Sequence, residues 1–312
     1  MKLGCASWIL CENEYAPPYD KPIKLIGEMG FDGFEMIINE ESDISDYFTP
    51  STMRELKSQY HSYDLVLSEF AIHSPLIEGL VSLEAGKRAR ALDIFKRAVQ
   101  VAGEMESRAV NVVSGWMDIK SPMGYMPAYI GPFANGVQKS TPKWHMEVPK
   151  VDYDRVWANY VESLRACLDI VVAAGMDFYI EAHANVMVGN TDAMLRLFDA
   201  IPSERFGVNF DTAWHAMQRE YPALALRKLG KRVKHLHMRD CDGLADYARP
   251  PGMGVLDWVD IFATLEDIGF DGFCSFEIGA YQNMPEYVAN AKRFIEEAML
   301  KAHEGVSERR TS

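Results

Sequence analysis

Four polar residues each close a short apolar run in the C-terminal half of the chain: Glu181 ends FYIE, Asp211 ends VNFD, His237 ends VKHLH and Glu277 ends CSFE. Apolar runs of this length read as strands buried on both faces, as in parallel sheets. Four such ends meet only if the strands lie parallel and side by side. The pattern therefore restricts the fold and the chemistry together.

The rest of the chain keeps the same rhythm. Short apolar runs at 2–6, 33–38, 65–72, 109–113, 177–181, 206–211, 233–238 and 272–277 alternate with longer segments of helical period. Over 84–105, Leu92, Phe95, Val99 and Ala102 share one helical face; over 153–174, Val156, Tyr160, Leu164, Cys167 and Val171 do the same. GFDGFE at 30–35, AGMDFYIE at 174–181 and GFDGFCSFE at 269–277 each place Gly after a helix and before a strand. Gly tolerates the left-handed conformation at a helix C-terminus, so one αβ joint is used three times. Eight βα units predict an α/β fold, a closed (β/α)8 TIM barrel forming a single domain over 1–312, with 48% hydrophobic residues enough for one large core. The rival, an open doubly wound sheet, lacks a glycine-rich dinucleotide fingerprint after its first strand.

One segment breaks the rhythm. Residues 115–151, between strand 4 and its helix, include GYMPAYIGPF and KWHMEVPK. A loop this long and this aromatic predicts a lid or a partner contact on the face where the βα loops gather.

Charge narrows the partners. With 45 acidic and 32 basic residues the net charge is -13, which repels polyanions and anionic membranes and argues against nucleic acid. The five cysteines form no CxxC pair, which points to reduced thiols in a cytoplasm rather than a disulfide framework or a thiolate zinc site. A secretory signal and a membrane-spanning apolar run are both missing from the sequence pattern, so a soluble protein is expected.

Three carboxylates and one imidazole form an oxygen-rich set that suits Mn²⁺, Co²⁺ or Mg²⁺, with Mn²⁺ the first choice and Zn²⁺ a further candidate. Four protein ligands on an octahedral ion leave positions for two adjacent substrate oxygens. One divalent ion is therefore expected, held by Glu181, Asp211, His237 and Glu277.

The motifs YIEAH (179–183), FDTAWH (210–215), HLHMRD (235–240), RPPGMGVLDW (249–258) and SFEIG (275–279) extend the pattern. With them the chain resembles the xylose isomerase-like TIM barrels, the sugar phosphate isomerase/epimerase superfamily. The resemblance implies that the four named residues bind one divalent metal and that Glu181 and Glu277 move protons on opposite faces of the substrate. It also implies that His183 and Arg249 contact substrate oxygens. His215, next to Trp214, is a further candidate contact, offset by one position from the usual histidine. Trp8 and Trp116, after strands 1 and 4, are placed to stack on a sugar ring. Glu35 and Glu69, on strands 2 and 3, face either substrate or donors at the barrel floor.

The implied activity is a sugar isomerase or epimerase. A carbonyl held by the metal would lose a neighbouring proton to one glutamate, pass through an enediolate, and regain a proton from the other. The same superfamily contains apurinic endonucleases with three zinc ions. Here strand 3 offers His73, but strand 4 ends in VVSG and the later Asp and His pair is replaced by ARPPG. The long loop also resembles that of the catalytic α subunits of C-glycoside deglycosidases, lyases acting on 3-oxo-glycosides with a small β subunit. In that alternative His145 in KWHMEV is the candidate base. A third reading is a non-catalytic sugar-binding barrel subunit, and the aromatic loop suggests a homo-oligomer or a β-subunit complex.

Overall fold

The eight expected runs all form strands, favoured by their β-branched and aromatic residues. They are β1 (Lys2–Ala6), β2 (Gly33–Ile38), β3 (Val66–Ile72), β4 (Ala109–Val113), β5 (Asp177–Glu181), β6 (Phe206–Asp211), β7 (Val233–Met238) and β8 (Phe273–Phe276). Each pairs in parallel with the next, and β8 returns to β1 to close the barrel. The computed structural model describes residues 1–13, 15–115, 152–184, 186–244, 246–279 and 281–311. Most of the predicted loop, with Trp116 and His145, lies outside the described residues.

Helices α1 (Asp20–Glu28), α2 (Pro50–Ser62), α3 (Ala85–Glu104), α4 (Tyr153–Ala173), α5 (Thr191–Ala200), α6 (Pro222–Leu229), α7 (Trp258–Asp267) and α8 (Met284–Thr311) alternate with the strands. The predicted joint recurs: Gly30, Gly175 and Gly269 follow α1, α4 and α7 with φ of +68°, +84° and +73°. A side chain at these positions would clash with its own backbone, so glycine lets the chain turn directly from helix into strand. No helix among the described residues is long and apolar enough to cross a membrane.

Side chains alternate along each strand, and here the two faces differ in kind. The outward face is aromatic and packs on the helices. Phe34 meets Tyr60 of α2 at 5.1 Å between ring centres, Phe178 meets Phe95 of α3 at 5.7 Å, and Phe206 meets Phe198 of α5 at 5.2 Å. Fully burying each such ring contributes roughly 1.5–3 kcal/mol. The inward face is polar. Glu35, Glu69, Asn111, Asn209 and His235 are buried inside the barrel; Asp211 and His237, two positions beyond Asn209 and His235, form the next layer up with Glu181 and Glu277.

Candidate metal centre

Strand register brings the upper layer together. Asp211 and His237 are paired partners on β6 and β7, while Glu181 is level with Asn209 and Glu277 lies one residue beyond β8. The stagger of a closed barrel brings these different heights to one point. Donor atoms of Glu181, Asp211, His237 and Glu277 all lie within 4.8 Å of one another, and all four residues are buried. The four residues singled out in the sequence therefore form one cluster.

Each ligand candidate is held from behind. Glu181 has His183 Nε2 at 2.8 Å from Oε1 and Asn111 Nδ2 at 3.2 Å from Oε2. Glu277 Oε1 accepts from Trp8 Nε1 at 3.2 Å, and its Oε2 faces His237 Nδ1 at 2.9 Å. Asp211 caps the short helix Thr212–Met217, its Oδ1 accepting from the Trp214 N–H at 2.8 Å. Arg239, just beyond β7, pairs with Glu277 Oε2 and places its Nε 2.6 Å from Asp211 Oδ2. That second approach is an ion pair off the hydrogen-bonding line, so Asp211 Oδ2 has no aligned donor.

This arrangement fits a divalent cation. Three carboxylates converge in a buried site, and Arg239 neutralises one of them. Two further positive charges would bring the site to balance, and an uncompensated buried charge is costly. Oxygen-rich donors with one imidazole suit a hard or borderline ion.

Without a cation the protonation states adjust. Burial pushes the Glu181 carboxyl up, but the imidazoles of His237 and His183 outweigh it and hold the group well below the ordinary carboxylate range. Burial also opposes ionisation of Glu277, and there Arg239 and His237 win, leaving it low. For Asp211 burial dominates over Arg239, and the nearby Glu181 and Glu277 add to it, so its carboxyl is raised. Burial alone would depress the His237 imidazole, yet Glu35, Glu277 and Glu181 together raise it well above its usual value. In the metal-free form a proton on His237 takes the place of part of the missing charge.

Above the cluster lies a cavity of about 380 Å³, with Glu181, His237, Arg239 and Glu277 among its lining. Aromatic rings form two walls. On one side His183, Trp214 and Tyr247 stack in sequence at 4.5 and 4.3 Å between centres. On the other, Trp8, Tyr15 and His73 stack at 6.4 and 6.2 Å. His73 thus belongs to a wall, where burial lowers its imidazole, rather than to a metal cluster among the described residues.

The other predicted contacts divide. His183 and Trp8 line the cavity. Two others are placed elsewhere. His215 is fully buried behind it, stacked on Phe210 at 3.9 Å and bound through Nδ1 to Glu220 at 2.7 Å. Arg249 pairs with Asp246 at 2.8 Å and is not among the lining residues. Its RPPGMGVLDW motif instead wraps Asp240, whose carboxylate accepts from the N–H groups of Cys241, Gly252 and Leu256 and from Trp258 Nε1. The functional arginine passed over in the sequence is Arg239, whose only signal was its place two residues after His237.

A closed parallel barrel with a buried carboxylate and imidazole cluster at the C-terminal ends of its strands defines a barrel protein built for binding and acting on a small ligand. The chain belongs to the xylose isomerase-like TIM barrel family, whose model matches residues 23–298. Among curated relatives, fructoselysine 3-epimerase of Escherichia coli O157:H7 is 22% identical over 280 residues, covering 87% of this chain and 90% of that protein. Inosose dehydratase of Klebsiella pneumoniae subsp. pneumoniae is 29% identical over 167 residues, covering 46% and 56%. The solved structure of D-psicose 3-epimerase with D-tagatose, from Clostridium cellulolyticum H10, superposes with a TM-score of 0.73 at 18% identity, covering 96% of this chain and 99% of that one.

Proposed function

We propose that this protein is a divalent-metal-dependent sugar epimerase or isomerase. The observation that carries the reading is the convergence of Glu181, Asp211, His237 and Glu277 beneath an aromatic-walled cavity, with both glutamates in its lining. The epimerases among its relatives support the substrate class. A bound divalent ion, Mn²⁺ by preference, would supply electrophilic stabilisation of the negative charge that develops on the substrate oxygen.

The chain's own groups do the rest. One glutamate removes the proton beside the carbonyl, and the other returns one to the opposite face of the same carbon, which inverts that centre; return of the proton to the former carbonyl carbon, with a proton passed between the two oxygens, exchanges aldose and ketose instead. Arg239 and Trp8 hold the two oxygens of Glu277, whereas His183 holds Oε1 of Glu181 at the cavity wall. His183 also presents its ring to a substrate hydroxyl. Among the described lining residues the one arginine, Arg239, is already committed to Asp211 and Glu277, which favours a substrate without a phosphate group.

Elimination is the second reading. Removal of the same proton can be followed by loss of a leaving group instead of reprotonation, as for an inosose dehydratase or a C-glycoside deglycosidase acting on a 3-oxo-glycoside. Two facing aromatic walls favour it, because a flat aglycone would lie between them. In that case His145 would be the added base, and a small β subunit the added partner.

Proton NMR of the Mn²⁺-supplied protein in D₂O, diluted to limit line broadening, tests both readings with a panel of ketoses and 3-oxo-glycosides. Deuterium uptake beside the carbonyl without release supports epimerisation, and aglycone release supports elimination. Glu277→Gln is expected to abolish exchange; unchanged exchange would remove Glu277 from the mechanism.

A further inference from the structure

Beneath the metal centre lies a layer that the proposed reaction does not use. Glu35 on β2 is fully buried and reaches across the barrel to β7. Its Oε1 lies 2.7 Å from His235 Nε2 and its Oε2 lies 2.9 Å from His237 Nε2. An ionised carboxylate only accepts, so both Nε2 atoms carry hydrogen. On the neutral His237 ring that a cation needs, this leaves Nδ1 as the lone-pair nitrogen. Nδ1 is the atom that faces the upper cluster, 2.9 Å from Glu277 Oε2 and 3.4 Å from Glu181 Oε2.

We propose, on the reading that the upper four residues hold a cation, that Glu35 is the positioning residue of the centre. Its carboxylate fixes His237 in the tautomer and orientation that present Nδ1 upward. A carboxylate on the far side of a ligating imidazole also raises its basicity toward the ion. His235 is the second arm of the clamp: by occupying Oε1 it leaves Oε2 as the oxygen that meets His237. Glu35, Glu69, His235 and His237 also have donor atoms within 4.8 Å of one another. Glu35 already binds both imidazoles through its two oxygens, so the clamp accounts for this layer without a second ion.

The test uses the full chain labelled with ¹⁵N-histidine and loaded with Zn²⁺ or Mg²⁺. Long-range ¹H–¹⁵N correlation reads which ring nitrogen of each imidazole holds hydrogen, and calorimetric titration with Mn²⁺ reads affinity and stoichiometry. The wild type is expected to show His237 as the Nε2–H tautomer and to bind one ion. Glu35→Gln accepts from one imidazole but turns an N–H toward the other, so it should weaken Mn²⁺ binding by about 10- to 100-fold. It should also spread His237 over both tautomers. Equal affinity in the two proteins, or an Nδ1–H His237 in the loaded wild type, overturns the proposal. Two ions in the wild type with one lost in the variant overturns it as well, by making Glu35 a ligand. No binding by the wild type removes the metal reading and the proposal together. The wild-type spectrum decides the tautomer even if the variant does not fold.

Discussion

Trp8 Nε1 donates to Glu277 Oε1 at 3.2 Å, joining the segment after the first strand to the end of the last. The bond fixes which edge of the carboxylate faces the cavity while the indole itself forms part of the wall.

Trp8→Phe keeps an aromatic ring and removes the donor. A hydrogen bond to a charged group is worth about 1.5–3 kcal/mol, so kcat/KM is expected to fall about 10- to 100-fold. Steady-state kinetics should place the loss mainly in kcat. An effect confined to KM would assign Trp8 to sugar stacking alone.

Arg239→Gln should expose the charge balance of the centre. Breaking a buried ion pair costs about 3–5 kcal/mol because its partner is left uncompensated. Melting of the metal-free variant should drop by about 5–8 °C. Added Mn²⁺ should recover more of that loss than it adds to the wild type, and a melting curve indifferent to the ion would contradict the balance argued for this site.

On the proposed reading, a metal and a proton compete at His237. Its imidazole is raised above its ordinary value near 6.5 in the metal-free fold, so its contribution is fully present below that pH and is lost as pH rises through the folded value. The cation needs the deprotonated ring. The melting shift produced by a fixed Mn²⁺ concentration should therefore grow between pH 5.5 and 8. A shift that shrinks with rising pH would exclude His237 as a ligand.

Gly254→Ala tests the role given to the loop after β7. A Cβ there would run into the Asp240 carboxylate and the Cys241 carbonyl. Overpacking of this kind costs about 1–3 kcal/mol. Thermal melting should show the loss; an unchanged melting point would mean that the motif does not need to wrap Asp240 this closely.

The barrel and its cluster of four polar strand ends were legible because both are periodic. Apolar runs recur at the βα interval, and a polar residue that ends such a run stands out. The floor layer was half visible: with Glu181, Asp211 and His237 facing inward, a period of two also turns Tyr179, Asn209 and His235 inward. What the sequence could not convey was which inward groups touch, since Glu35 and His237 lie 202 positions apart. Arg249 drew notice through a motif that wraps Asp240, and His215 through one that runs into the short helix capped by Asp211. Arg239 did not, because a residue just past a strand end has no periodic signature and its direction depends on the turn that follows.

Asp211 serves two structures with two oxygens. Oδ1 starts the helix that carries Trp214, and Oδ2 points to the centre. Trp214 in turn anchors the wall of His183 and Tyr247. On the proposed reading, grip on an ion and the position of the wall share one backbone anchor. Divergence toward new substrates would therefore be freest in the rings themselves, which can be exchanged above a foundation whose shift would loosen a bound ion.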